Sequence, residues 1–208
     1  MKLMLISSSD DIKNEHEVIK AMFDLGLPTF HLRKPHFSAE HLKTYLNEFS
    51  KEHLKKIIIH THHSLAWDFR LKGIHLTKSD RKKKYRSWLL YKLLKLKQRS
   101  LIRSTSCSSL SSLTSSYKDF DYIMLTPVFA GVQEHRPTFS RGTLHSIVKK
   151  YPNKIVARGG AKVDNIEKGK EIGFTGIAFH NSIWRNPDPL KELERAINKY
   201  KELGIPIE

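Results

Sequence analysis

Two hydrophobic patterns alternate along this chain. Short apolar runs of strand length recur, and each is followed by a longer stretch with apolar residues three and four apart. Residues 2–7 predict the first strand. Val18, Ile19, Met22, Phe23 and Leu25 then place a helix over 14–25, ended by Gly26. Residues 27–35 predict a second, short strand with a polar tip. Phe30 and Leu32 share one of its faces, and Thr29, His31 and Arg33 share the other. Three such side chains pointing inward make sense near an open end, where something anionic can meet them.

Ser38 caps a helix predicted to run to about Glu52. The run 56–60 (KIIIH) is a third strand, of the kind buried on both faces. A short helix over 64–71, a strand over 73–76 and a helix within the basic segment 81–99 follow. The fifth strand is expected at 100–105, with a helix after it carrying Leu110, Leu113 and Tyr117. Residues 121–125 form the sixth strand, and 127–140 a polar loop too long for a plain connector. A helix over 142–151, a strand over 155–158, a helix over 163–172, a strand over 175–179 and a helix over 188–203 complete the chain.

Eight strand-then-helix units with no composition break predict an α/β fold, a single (β/α)8 TIM barrel spanning 1–208. The alternative is a doubly wound open sheet. That fold usually carries a Gly-rich turn after its first strand, and here 7–10 read Ser-Ser-Ser-Asp.

Charge sharpens the picture. The formal net charge is +16, which points to phosphorylated or otherwise anionic partners. Nine Lys and Arg and no acid lie in 81–99. That segment reads as a solvated outer helix face, with a nucleic-acid surface as the weaker reading; Trp88 and Tyr91 are spaced as core-facing residues. The single cysteine, Cys107, excludes an internal disulfide and fits a cytoplasmic protein. No apolar run reaches the ~20 residues needed to span a bilayer, so no membrane partner is expected.

The active site of such a barrel lies at the C-terminal ends of its strands. That position selects His31 and Arg33, His60 to His63, His75, Asp80, Thr105 to Ser108, Thr126 to Gly131, Arg158 to Gly160 and His180 to Ser182. Gly159 and Gly160 lack Cβ atoms, so backbone there can approach a phosphate closely. Arg158 adds positive charge, and Asn181 and Ser182 add donors. His31, His60 and His75, with Asp80, are also a conceivable transition-metal set.

These residues resemble the thiamine phosphate synthase / thiazole tautomerase family. His-Leu-Arg at 31–33 resembles its strand-two signature, Gln/His-Leu-Arg-Glu-Lys. Gly-Ile-His-Leu at 73–76 with Asp80, Asp-Tyr-Ile at 121–123 with Pro127-Val128-Phe129, and Gly159-Gly160 with Asn165 occupy matching places. Gly-Ile-Ala at 176–178 leading to Ser182-Ile183 completes the series. The resemblance implies a transferase joining an aminopyrimidine methyl diphosphate to a thiazole phosphate, with loss of diphosphate. It implies that Arg33 holds diphosphate, that His31 and His60 line the pyrimidine and diphosphate pocket, and that Thr105 contacts ligand. It further implies that Asp80 ligates Mg2+ and that Gly159 and Ser182 cradle the thiazole phosphate.

The sequence departs from the family at several of these places. Pro35 stands where the family has a lysine, His60-Thr61 where it has Asn-Asp, and Pro127 where the tautomerases have a histidine. Lys34, Lys78, Arg136 and Arg158 are the candidate replacement cations. A thiazole-tautomerase-like protein or a non-catalytic binder of a phosphorylated thiazole is therefore the alternative, and a basic nucleic-acid-associated protein a third.

Overall fold

The structure, a computed structural model, describes residues 1–8, 10, 12–109, 113, 115–129 and 139–208. Eight parallel strands close into a barrel in chain order. They are β1 (Lys2–Ile6), β2 (Phe30–Leu32), β3 (Ile57–Ile59), β4 (Gly73–Leu76), β5 (Ile102–Cys107), β6 (Tyr122–Leu125), β7 (Ile155–Arg158) and β8 (Gly176–Phe179). Helices α1 (Glu15–Asp24), α2 (Ala39–Asn47), α3 (Lys51–Leu54), α4 (Leu65–Phe69), α5 (Lys78–Lys82) and α6 (Lys84–Lys97) lie between the first five strands. Helices α7 (Arg141–Lys150), α8 (Ile166–Ile172), α9 (Asn181–Trp184) and α10 (Pro189–Glu202) follow.

Strand residues alternate between two cores. One face of each strand packs on the helices, where Leu3, Leu5, Phe30, Leu32, Ile57, Ile59, Ile123 and Leu125 are buried. The other fills the lumen with Met4, Ile6, Ile58, Tyr122, Met124, Val156 and Ala178. Filling both faces of every strand is why the strand runs lack a polar alternation.

Three expectations about elements shift. The helix read to Glu52 breaks after Asn47, because Phe49 turns into the core and Ser50 accepts from the His53 N–H to start α3. The fifth strand begins and ends two residues later than read, at Ile102–Cys107. Its Ser104-Thr105-Ser106 run is polar, which hides a strand from a hydrophobic pattern. In the stretch after β5, Tyr117 is buried in a 3-10 turn at Ser115–Asp119, and Leu110 lies outside the described residues. Most of the 127–140 loop, including 131–134 and Arg136, also lies outside them.

The second strand does not present three polar groups at one mouth. Thr29 belongs to the opposite, N-terminal end, where its Oγ1 accepts from Lys72 Nζ at 2.6 Å. Lys72 also donates to the Pro28 carbonyl, Lys56 to that of Phe23 and Lys154 to that of Phe120. Lysines thereby close the bottom of the barrel through backbone oxygens, leaving His31 mid-lumen and Arg33 at the top.

Candidate active site at the C-terminal mouth

The upper lumen is built from hydrogen-bonded rings. Barrel register aligns His75 with Ser104 and Ser104 with Tyr122. His31 reaches up from the layer below: its Nδ1 lies 2.9 Å from His60 Nε2 and its Nε2 2.6 Å from the Tyr122 hydroxyl. His75 sits between two hydroxyls, Ser104 Oγ at 2.9 Å on Nδ1 and Ser106 Oγ at 3.0 Å on Nε2. His60 and His75 stack, with centroids 4.1 Å apart and planes inclined by 14°. One proton assignment satisfies the first chain: Tyr122 donates to His31 Nε2, and His31 Nδ1–H donates to His60 Nε2.

This cluster is neutral by construction. Burial, then the charges of Arg158 and Lys72, bring the His31 pKa down to about 3. Burial foremost, with cationic neighbours including Arg158, holds His60 and His75 well below the ordinary histidine value. Burial raises the Tyr122 phenol beyond any working pH. The charged neighbours acting on these three rings are all cationic or themselves histidines. Among the described residues no carboxylate is one of the influences on these rings, and the charges around them are positive, which suits an anion.

Two arginines stand above the rings. Arg33 is exposed at the end of β2, and its backbone is clamped on both sides by Ser7: Ser7 Oγ donates to the Arg33 carbonyl and accepts from its N–H. The next residue anchors the loop. Lys34 Nζ lies 2.8 Å from Glu15 Oε2, and the Tyr45 hydroxyl donates to the same carboxylate. Lys34 is thus committed to a buried ion pair, which corrects the expectation that it supplies charge to the mouth. Lys78 is exposed on α5. Arg158 is half-buried, and its guanidinium reaches Ser106 Oγ at 3.5 Å. Burial, and then Arg33, push the Arg158 pKa down from its usual range.

Beside Arg158 the backbone turns through Gly159 at φ 86° and Gly160 at φ 66°. A Cβ on Gly159 would lie 2.9 Å from Pro127 Cα and 3.0 Å from Thr126 Oγ1. Positive φ and this crowding together require glycine. Gly159→Ala is expected to cost about 1–3 kcal/mol of stability. An unchanged urea midpoint would show that the turn tolerates a side chain. At the end of the adjoining strand β8, Asn181 is exposed at the start of α9, and Ser182 Oγ is buried with no hydrogen-bond partner among the described residues. An orphaned hydroxyl there is a donor awaiting an acceptor.

One expected ligand contact is placed elsewhere, and one oxygen of a second is engaged in a helix cap. Thr105 is fully buried on the helix-facing side of β5. Its Oγ1 donates to the Leu76 carbonyl at 2.7 Å and accepts from Arg81. A two-residue shift in strand bounds does not change parity; the lumen-facing hydroxyls are simply its neighbours, Ser104 and Ser106. Asp80 lies in the first turn of α5, where its Oδ2 accepts from the Thr77 N–H at 2.9 Å and from the Thr77 hydroxyl in a capping box.

Neither proposed metal set fits these positions well. Magnesium wants near-octahedral oxygen ligands. The Asp80 oxygen is engaged in its cap, and Thr61 stands where a second carboxylate is implied. The histidines do converge, their ligand atoms lying within 4.8 Å of one another, and Asp80 is outside that group. A single ion must lie near the plane of every imidazole that ligates it. The stacked His60 and His75 rings share no such point, and both nitrogens of His31 and of His75 already have partners. Nearby His63 is less solvated than its place at a helix start implied: its Nε2 is 3.1 Å from the His75 carbonyl, whereas His62 is exposed.

The profile of the thiamine monophosphate synthase family matches residues 3–183. The chain belongs to that family. Of the residues that carried the resemblance, Arg33, His75 and Gly159 lie at upper strand ends, whereas Asp121 and Gly176 lie at lower ones. A thiamine phosphate pyrophosphorylase from Bacteroides thetaiotaomicron superposes with a TM-score of 0.79 at 23% identity, covering 97% of this chain and 98% of that one. One from Pyrococcus furiosus gives 0.76 at 20%, covering 97% and 96%. A 3-hexulose-6-phosphate synthase gives 0.64 at 15%, covering 96% and 99%. No curated sequence matches the chain. At these identities the structural likeness speaks for the barrel, and the profile for the family.

Sequence reasoning included Ser106 but missed Tyr122 and Ser104 as members of the site. Tyr122 is the middle of the Asp-Tyr-Ile run that carried part of the resemblance. An inward polar residue on each of two adjacent strands was the available signal.

Proposed function

We propose that this family member acts in thiamine biosynthesis as a transferase, joining an aminopyrimidine methyl diphosphate to a thiazole phosphate and releasing diphosphate. The observation that carries the reading is the pairing of two arginines with a neutral aromatic floor. Arg33 and Arg158 supply fixed positive charge where a leaving diphosphate would gather negative charge. Loss of diphosphate leaves a cationic pyrimidine. Neutral imidazoles and a phenol do not repel that cation, whereas imidazolium rings would. Their pKa depression therefore suits the reaction. Gly159, Gly160 and the unpartnered Ser182 hydroxyl are suited to hold the thiazole phosphate, which orients the attacking ring nitrogen.

The test is product formation. Purified protein with both substrates is expected to make thiamine phosphate, assayed with magnesium and with chelator. Folded protein that yields none above background ends the reading. One observation favours a second reading: the Asp80 cap and Thr61 leave no evident pair of carboxylates for magnesium. The alternative is a binder or isomeriser of a phosphorylated thiazole. It predicts thermal stabilisation by thiazole phosphate and none by inorganic diphosphate.

A further inference from the structure

The basic helix α6 leaves many of the residues its sequence marks as apolar exposed. Seven large hydrophobic side chains are exposed among the described residues, and five of them lie on this one helix: Tyr85, Trp88, Leu89, Leu93 and Leu96. Tyr85 and Leu96 are 76% and 80% exposed. Trp88 and Tyr91 do not both face the core as their spacing suggested; Trp88 is exposed, and Leu94 is the fully buried residue of the helix.

The exposed set is ordered. At 100° per residue, Trp88, Tyr85, Leu96, Leu89 and Leu93 fall in sequence around one arc, opposite Leu94. Lys92 lies inside the arc, and Arg86 and Lys97 border it. A sixth exposed hydrophobic, Trp67 of α4, joins the patch, with Lys97 Nζ 4.5 Å from its ring centroid. No acid occurs between Asp80 and Asp119.

We infer that the α6 ridge docks on an anionic phospholipid surface, lying in the headgroup plane. The charge pattern selects this occupant. A second copy pairing through the same face would set Lys92, Arg86 and Lys97 against themselves, with no acid on the helix to meet them. Leu and Trp side chains standing exposed on one helix face suit a soft medium they can enter. Leucines supply the buried area, the two tryptophans and Tyr85 suit the headgroup boundary, and the lysines meet lipid phosphate. No described helix is long and apolar enough to cross a membrane, which agrees with a helix that lies on one.

Vesicle flotation tests it with the full chain. Equal parts of phosphatidylglycerol and phosphatidylcholine are compared with phosphatidylcholine alone. Binding is expected to the anionic vesicles, with a blue shift of tryptophan emission. The triple variant W88S/L93S/L96S changes exposed positions only and is expected to lose roughly tenfold or more in binding. K92E/K97E is expected to lose at least as much, since each charge near the surface counts about fivefold. Equal flotation with both vesicle types overturns the inference. So does unchanged binding by the apolar variant, a helix-dependent dimer in solution, or preferential binding to duplex DNA that the apolar variant retains. Because α6 carries no residue of the mouth, failure here leaves the transferase reading untouched.

Discussion

Acidification from pH 7 to pH 5 is expected to destabilise this protein by several kcal/mol. His31, His60 and His75 are buried in the neutral form, and their folded pKa values lie below the unfolded value of about 6.5. Below that pH the unfolded chain binds protons that the folded chain refuses. Stability is thus fully present above about pH 6.5 and falls as pH falls toward the depressed values, which for His31 is about 3. One group refused its proton costs about 1.4 kcal/mol per pH unit. At pH 5 that is about 2 kcal/mol for His31, with His60 and His75 adding in the same direction, against a typical total of about 5–15 kcal/mol. Urea titrations at pH 7, 6 and 5, followed by circular dichroism, read the loss directly. A stability that stays level over this range would mean that the rings are not buried neutral together. His60→Asn is expected to lower stability at pH 7 and to flatten its dependence on pH.

Loss of the Arg158 guanidinium is the second large effect. Arg158→Ala is expected to weaken inorganic diphosphate binding by about 100-fold, in line with about 3 kcal/mol for a charge-assisted contact in a water-poor site. Arg33 remains, but it is exposed and screened, so it does not compensate. Arg158→Lys keeps charge without the two-pronged donor geometry and is expected to recover part of the affinity. Calorimetry with diphosphate, with and without chelator, checks both points. The arginine pair needs no metal to meet an anion, so chelator is expected to leave affinity largely intact. Equal affinity in Arg158→Ala and the parent protein would place the anion elsewhere. The same variant links to the acid transition. Arg158 is among the charges that depress His31, His60 and His75. Its removal lets them accept protons more readily and is expected to soften the loss of stability below pH 6.

The polar chemistry was only partly legible in the chain. The structure gathers His31, Arg33, His60, Arg158 and the Gly159-Gly160 turn in the upper lumen and at the mouth, as their places along the barrel strands implied. Lys34 was misplaced because its neighbour in sequence is a site residue, while its partner Glu15 comes from α1. Thr105 was misplaced because a polar strand gives no hydrophobic face from which to count parity. The α6 stripe was legible as apolar residues but not as exposed ones, since periodicity alone does not say which side of a helix is covered.

Sequence by itself determined the order of the eight βα units, the parallel sheet they require and the chemical types available at each strand end. Local period and the need to bury apolar runs on both faces are sufficient for that. Only the closed barrel decided which groups meet. His31 is 29 residues from His60 and 91 from Tyr122, yet it bonds to both. Such contacts depend on strand stagger around the ring, a property of all eight pairings together and of no single segment.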